Sequence, residues 1–353
     1  MWRSAAFGAR ARGVYTRVAM AIRRFPILFI TSSRLGDAVL SSGLIKALSD
    51  EVEDARFTIV ASTLTAPLFE HVPGLSKVIV MEKRPLAAHW YDLWRQARRQ
   101  HWGLIVDTRG SAISGFLRRS RRAVHAPGNT PVHKVIEAAR LLKQDETPPA
   151  PYIYVSDAER ARAEQITAGD GPILAVAPAA NWVGKMWPME HFAQVARTLL
   201  GTGGELAGGR LMVMGGPGDR VVAAPLLNAV PKDRRIDLID REPLLVSYAA
   251  LAKARLFIGG DSGLMHLAAA AGAPTLGLFG PSDERLYAPW GEQARTVRSA
   301  RTFEEIKARD TRLNHPVCHM MDLRVSAVVV AARKLIADSE NAILQTPAGA
   351  VHA

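Results

Sequence analysis

The 353-residue chain has one cysteine, Cys318, which excludes an intrachain disulfide and a cysteine-cluster zinc site. It contains no G-x-G-x-x-G, so a dinucleotide-binding fingerprint is absent. It contains no G-x-S-x-G, and the nucleophile elbow of Ser-His-Asp hydrolases goes with it. Histidine-rich and paired-carboxylate spacings are missing too, so no metal is expected. Long apolar runs are scarce. The longest stretch without Lys, Arg, Asp or Glu, residues 262–282, is broken by Gly272, Pro274, Gly277, Gly280 and Pro281. It reads as helix, turn and buried strand, not as a membrane span.

Acidic residues are scarce in one half only. Residues 1–150 carry 23 Lys+Arg against 12 Asp+Glu, whereas residues 151–353 carry 22 against 21. The net charge of +12 therefore lies almost wholly in the first half. Such asymmetry suits an anionic partner: nucleic acid, a membrane surface or an acidic substrate. The plainer reading is a solvated face. No recognised motif organises the charge for nucleic acid, which sets that partner aside. The first 24 residues hold six arginines and no acid, but not the unbroken apolar segment of a signal peptide. Residues 1–24 read either as a basic interfacial helix on anionic lipid or as a leader without a role.

What is present is the balance of a globular protein, 48% hydrophobic and 22% charged. Short β-rich runs alternate with helical patterns. Residues 27–33, 57–61, 78–81, 104–107 and 123–125 read as strands, with helices over 38–48, 90–99 and 133–142 between them. After the Pro-rich segment 144–151 and a helix over 157–167, the alternation restarts. Strands are expected over 173–177, 211–214, 236–239, 256–258 and 275–279, and helices over 190–200, 220–229, 244–254 and 263–271. Repeated βα units imply parallel sheets covered by helices on both faces. The division is a basic leader (1–24), a first doubly wound domain (25–150), a linker (151–170), a second doubly wound domain (171–325) and a C-terminal helix with tail (326–353). Ligands of such domains bind at the carboxyl ends of strands.

Four segments stand at those ends. Arg34-Leu35-Gly36-Asp37 follows the first strand. Asp37 there is either a helix N-cap or a carboxylate facing a cleft. Residues 178–187, PAANWVGKMW, place Lys185 before a helix, either as a surface lysine or as a point charge for phosphate. Gly215-Gly216-Pro217-Gly218-Asp219 allows close approach of a nucleotide to backbone, a signal shared by many βα turns. Gly259-Gly260-Asp261-Ser262-Gly263-Leu264-Met265-His266 carries most. There the N–H groups of Ser262, Gly263 and Leu264 would leave a helix end that suits a diphosphate, with His266 one turn in. Phe279-Gly280-Pro281-Ser282-Asp283 can close the other side of the pocket.

In this order the motifs resemble the bacterial heptosyltransferases of glycosyltransferase family nine. The resemblance spans residues 26–337 and is most specific in GGDSGLMHLAAAAGAPTLGLFGPSD (259–283), supported by ILFITSSRLGDAVLSSGLIKAL and NWVGKMWPMEHFAQVA. It implies a GT-B fold: two facing Rossmann-like domains, with a C-terminal helix packing back on the first. It implies a nucleotide-diphospho-sugar donor, typically ADP-heptose, and an anionic glycolipid acceptor of the lipopolysaccharide core. The enzyme would be inverting, without metal or cofactor, and peripheral on the cytoplasmic face of the inner membrane. By the same resemblance Asp37 is the catalytic base. Lys185, Gly215, Gly216, Asp261, Ser262, Gly263, Leu264 and His266 bind the donor, and Arg34, Arg84 and Arg109 bind the acceptor. Members often read D-x-Q-G where this chain has Asp107-Thr108-Arg109-Gly110, a departure on the acceptor side. Ala179 stands where many members have glycine. The alternatives are a GT-B transferase or epimerase using another nucleotide sugar, and a noncatalytic sugar-nucleotide-binding protein.

Overall fold

Aliphatic runs too apolar to face water on either side build two parallel sheets in the computed structural model, which describes residues 24–126, 128 and 130–345. The first domain runs β1 (Phe25–Ile30), α1 (Leu35–Leu40), α2 (Gly43–Glu51), β2 (Ala55–Ala61), β3 (Leu75–Val80), α3 (Ala88–Ala97), β4 (Trp102–Asp107), β5 (Arg119–Val124) and α4 (Lys134–Ala139). Its strand order is β3-β2-β1-β4-β5. The chain then passes through α5 (Asp157–Thr167), which a capping box of Ser156 and Glu159 starts.

The second domain runs β6 (Ile173–Ala177), α6 (Met189–Leu200), β7 (Arg210–Val213), α7 (Asp219–Val222), α8 (Ala224–Leu227), β8 (Arg235–Asp237), α9 (Leu244–Leu251), β9 (Leu256–Gly260), α10 (Gly263–Ala270), β10 (Thr275–Phe279), α11 (Glu284–Tyr287), β11 (Ala294–Arg298) and α12 (Phe303–Arg309), with α13 (Val325–Gln345) last. Its order is β11-β10-β9-β6-β7-β8. This is the expected GT-B plan of two parallel α/β domains. No helix of the described residues is long and apolar enough to cross a membrane. Residues 1–23 of the expected leader lie outside the described residues, as do residues 346–353.

Several elements differ from expectation, each for a local reason. The helix expected over 38–48 is two helices. Ser41 and Ser42 turn their hydroxyls back onto the carbonyls of Asp37 and Val39, at 2.9 and 2.7 Å, and break the ladder. Pro225, in the first turn of α8, splits the helix expected over 220–229. α5, expected inside a linker, packs on α9 of the second domain. β11 escaped the sequence reading because this edge strand reads ARTVR, with no apolar run.

The C-terminal helix corrects the resemblance. Val328, Val329, Ala332, Leu335 and Ile336 of α13 share a core with Leu199, Leu256 and Leu276 of the second domain, not with the first. Arg255, just before β9, fixes the pairing by donating to Ser339 Oγ and the Ile336 carbonyl. A second core lies on the outer face of the first sheet, where Leu28, Ile30 and Ile105 meet Leu93 and Ala97 of α3. A third runs between the domains without interruption, from Phe29, Val39 and Phe57 to Phe257, Met265 and Leu267.

Candidate functional site

The carboxyl end of β1 feeds α1, and the carboxyl end of β9 feeds α10. These two helix starts meet. A Cβ added at Gly263 would stand 2.6 Å from Leu35 Cγ, and one at Gly36 would stand 3.0 Å from His266 Cδ2. Only side chains without a Cβ let the two helix ends come this close. Gly36 is therefore a contact between domains.

On the second-domain side, Lys185 Nζ lies 2.6 Å from Asp261 Oδ2, and Ser282 Oγ donates to the same oxygen at 2.6 Å. His266 Nε2 stands 3.6 Å from Asp261 Oδ1. Burial alone would disfavour a charged Asp261. The imidazole of His266 and the ammonium of Lys185 outweigh it and hold the carboxyl well below the usual carboxylate range. Ser262 is the N-cap of α10, yet its Oγ is buried without a partner, as is His266 Nδ1. Buried polar atoms are normally satisfied, so two orphans at one helix N-terminus mark a place shaped for a polar ligand. Leu264 is half-buried beside them.

The glycine turn after β7 is less open than its sequence suggests. Asp219 Oδ2 accepts the Gly216 N–H at 2.8 Å, and the Gly215 carbonyl accepts from Asp240 N at 3.1 Å. Gly216 offers no free donor; what remains is space for close approach.

On the first-domain side, a cavity of about 320 Å³ is lined by Asp37, Ser32, Arg109, Lys134, Glu137 and Tyr287, among others. Asp37 is not a cap. Arg34 occupies the N-cap position, and Asp37 sits in the first turn with no side-chain cap bond. Its carboxylate accepts one hydrogen bond, from Ser32 Oγ at 3.4 Å. Asp37 is thus a carboxylate facing the cavity, not an N-cap.

Arg109 reaches the cavity through its own loop. Asp107, wholly buried, accepts from the backbone N–H groups of Arg109 and Ser111, each at 3.0 Å, and from Ser111 Oγ. Burial pushes the Asp107 carboxyl above its ordinary value against the pull of these donors. The Arg109 guanidinium rests 5.0 Å over the Trp90 ring. Arg84 is not part of this constellation. It pairs with Asp92 at 2.6 Å and lines a different cavity beside α3. Arg34 is exposed and is not among the residues that line the cavity.

The sequence reading missed five contributors: His125, His133, Lys134, Glu137 and Tyr287. Lys134 and Glu137 form an ion pair on α4, and His125 Nε2 lies 3.5 Å from the same Glu137. The Glu137 carboxylate keeps Lys134 firmly charged, although burial works the other way. Tyr287, from α11 of the second domain, closes the first domain's cavity. Burial raises its hydroxyl pKa, and the fields of both Asp37 and Asp261 add to the rise. Tyr287 thus feels the carboxylates of both domains. His133 caps α4 by accepting the Val135 N–H on Nδ1 at 3.2 Å. Its Nε2 therefore carries the proton and donates to the Ala288 carbonyl across the domain boundary at 2.9 Å. None of these residues has a local sequence signature.

Among the described residues one group, Glu70, His71 and Glu159, has ligand atoms mutually within 4.8 Å, the spacing of a metal site. It joins the first domain to α5 and lines neither half of the cleft.

A family model described as glycosyltransferase family 9 (heptosyltransferase) matches residues 91–316. The lipooligosaccharide heptosyltransferase 2 of Haemophilus influenzae is 25% identical over 312 residues, covering 77% of this chain and 88% of its own length. The lipopolysaccharide heptosyltransferase 2 of Salmonella typhimurium is 22% identical over 327 residues, covering 81% and 91%. Among solved structures, the Escherichia coli ADP-heptose lipopolysaccharide heptosyltransferase II superposes with a TM-score of 0.71 at 21% identity, over 89% of this chain and 99% of its own. A second Escherichia coli heptosyltransferase, solved with ADP, gives 0.66 at 16% identity, over 88% and 99%.

Proposed function

This chain belongs to glycosyltransferase family 9 and is a glycosyltransferase, and from that premise we propose that it moves heptose from ADP-heptose to an anionic glycolipid of the lipopolysaccharide core, with inversion. The observation that carries the reading is the seam between α1 and α10. It brings the helix that carries Asp37 against the start of α10, where Asp261 holds Lys185.

Residues 25–150 act as the acceptor domain and residues 171–325 as the donor domain. Asp37 takes the proton of the attacking acceptor hydroxyl. As the new C–O bond forms, the bond from the anomeric carbon to the diphosphate breaks on the opposite face, and its electrons pass to the leaving diphosphate. Lys185 and the N–H groups opening α10 stabilise that developing charge. Asp261 is ionised and can only accept hydrogen bonds, so it suits donor sugar hydroxyls and not phosphate. Gly215 and Gly216 let the nucleotide approach the backbone. Arg109 and Lys134 face the acceptor's anionic groups, and the exposed Arg34 is a further cation for them. With these cations in place the reading uses no divalent ion, and excess EDTA is expected to leave turnover unchanged.

Mass spectrometry of nucleotide sugars retained by the purified protein tests donor and base together. ADP-heptose is expected, with heptose transfer to a core acceptor. A retained uridine sugar, or a sugar converted without any acceptor, would replace this reading with the epimerase or another transferase.

A further inference from the structure

The outer face of the first sheet is covered by α3, whose inner side, His89, Leu93 and Ala97, is buried. Its outer side is unusual. Tyr91 is 60% exposed and stacks on Trp94, with ring centroids 5.9 Å apart. Arg95 and Arg98 continue the same stripe at helical spacing, and Arg98 lies 4.7 Å over the Trp94 ring. The loop leading into α3 turns through two successive left-handed residues, Leu86 (φ 53°) and Ala87 (φ 58°). That backbone is costly for residues with a Cβ. Here it leaves the Leu86 side chain wholly exposed. The turn Ala112–Phe116 packs beside α3 and adds Phe116, 73% exposed.

We propose that this face, the Leu86 loop with the outer stripe of α3, seats the enzyme on an anionic bilayer. The inference rests on the function proposed above, in which the acceptor is a glycolipid, and adds the surface that meets the lipid. Leucine and phenylalanine at the tips would enter the acyl boundary, while Tyr91 and Trp94 sit at headgroup depth, where amphipathic rings are favoured. Arg95, Arg98 and Arg99 meet lipid phosphates. Charge sets the occupant. Residues 83–124 hold ten Lys+Arg, and their two acids are Asp92, paired with Arg84, and the buried Asp107. A second copy docking face to face would oppose like charges. The helix also leads to the site. Trp90, on its inner flank, carries the Arg109 guanidinium that lines the Asp37 cavity. A bilayer under α3 would therefore deliver a membrane-anchored acceptor beside the base.

The test uses the full chain and vesicles of phosphatidylcholine with or without phosphatidylglycerol. Binding is expected to need the anionic lipid. Leu86→Ser combined with Tyr91→Ser should weaken it by about tenfold or more, the scale of one lost apolar side chain. Arg95→Gln with Arg98→Gln should weaken it similarly on anionic vesicles alone. An environment-sensitive dye on Leu86→Cys, in a Cys318→Ser background, should be quenched by brominated lipid. The same dye on Val221→Cys, exposed in the second domain, should not. Transfer to a soluble, delipidated acceptor should be unchanged in the Leu86 and Tyr91 variants. Equal quenching at both positions, unaltered vesicle binding, or a dimer dissolved by the serine variants would overturn the proposal. Dye and vesicle readouts need no turnover, so a failed heptose transfer would count against the enzymatic reading alone.

Discussion

Lys185 Nζ sits 2.6 Å from Asp261 Oδ2, so the cation proposed for the donor's phosphates is held by a carboxylate of its own domain. The ammonium must be shared, not released, when a diphosphate enters, because the Asp261 side chain is only 9% exposed and would be left uncompensated. Lys185→Met should weaken ADP binding by about 10–100-fold, the scale of a charge-assisted hydrogen bond. Adenosine binding should hardly change. Calorimetry with both ligands decides it, and equal losses would remove Lys185 from the phosphate site.

Asp37→Asn should reduce turnover by about 10²–10⁴-fold, the range for loss of a general base. The Asp37 carboxylate makes no capping bond and only one long hydrogen bond, so the melting temperature should stay close to wild type. Near-normal turnover in the variant would leave the reaction without its proposed base.

The glycines at the seam make a graded prediction. Gly263→Ala pushes a methyl to 2.6 Å from Leu35 Cγ, and Gly36→Ala pushes one to 3.0 Å from the His266 ring. Overpacking of this kind costs about 1–3 kcal/mol. Gly263→Ala should therefore impair stability and kcat/KM more than Gly36→Ala. Adding Leu35→Ala to Gly263→Ala should recover part of the loss. A double-mutant cycle without coupling would show that the two helix ends do not touch in solution.

His133 predicts a pH effect. Burial, with a smaller push from His266, lowers its pKa below the ordinary 6.5, against the bond to Ala288. The unfolded chain therefore takes up a proton on His133 that the folded chain resists. Its contribution to stability is complete above about pH 6.5 and is lost as pH falls through the depressed folded value. His133→Asn keeps a side-chain cap without the charge. The stability advantage of wild type over this variant should shrink as pH falls below about 6.5. Thermal melts at a series of pH values would show it, and a constant difference would exclude the histidine from the domain contact.

The sequence was most legible where chemistry and backbone coincide. GGDSG could be placed because a buried strand, glycines and a helix start leave few geometries, and the orphaned Ser262 and His266 atoms fall where the motif put them. Arg84 went astray because a charged residue at a strand end points wherever its loop allows, here toward Asp92. Tyr287, Lys134 and His133 were invisible because their roles arise only when α4 and α11 come together from opposite domains. The amphipathic pattern of α13 announced a buried face, but periodicity does not say which sheet will cover it.

The core that crosses from Phe29 and Phe57 to Phe257 and Met265 means that the two halves are not interchangeable modules. A donor half transplanted from a relative would bring foreign shapes to α9 and α10, and the recipient's α1 and α2 would meet gaps or collisions. Exchange of donor preference therefore has to be grafted as pocket residues within this chain's own framework, leaving the buried boundary intact.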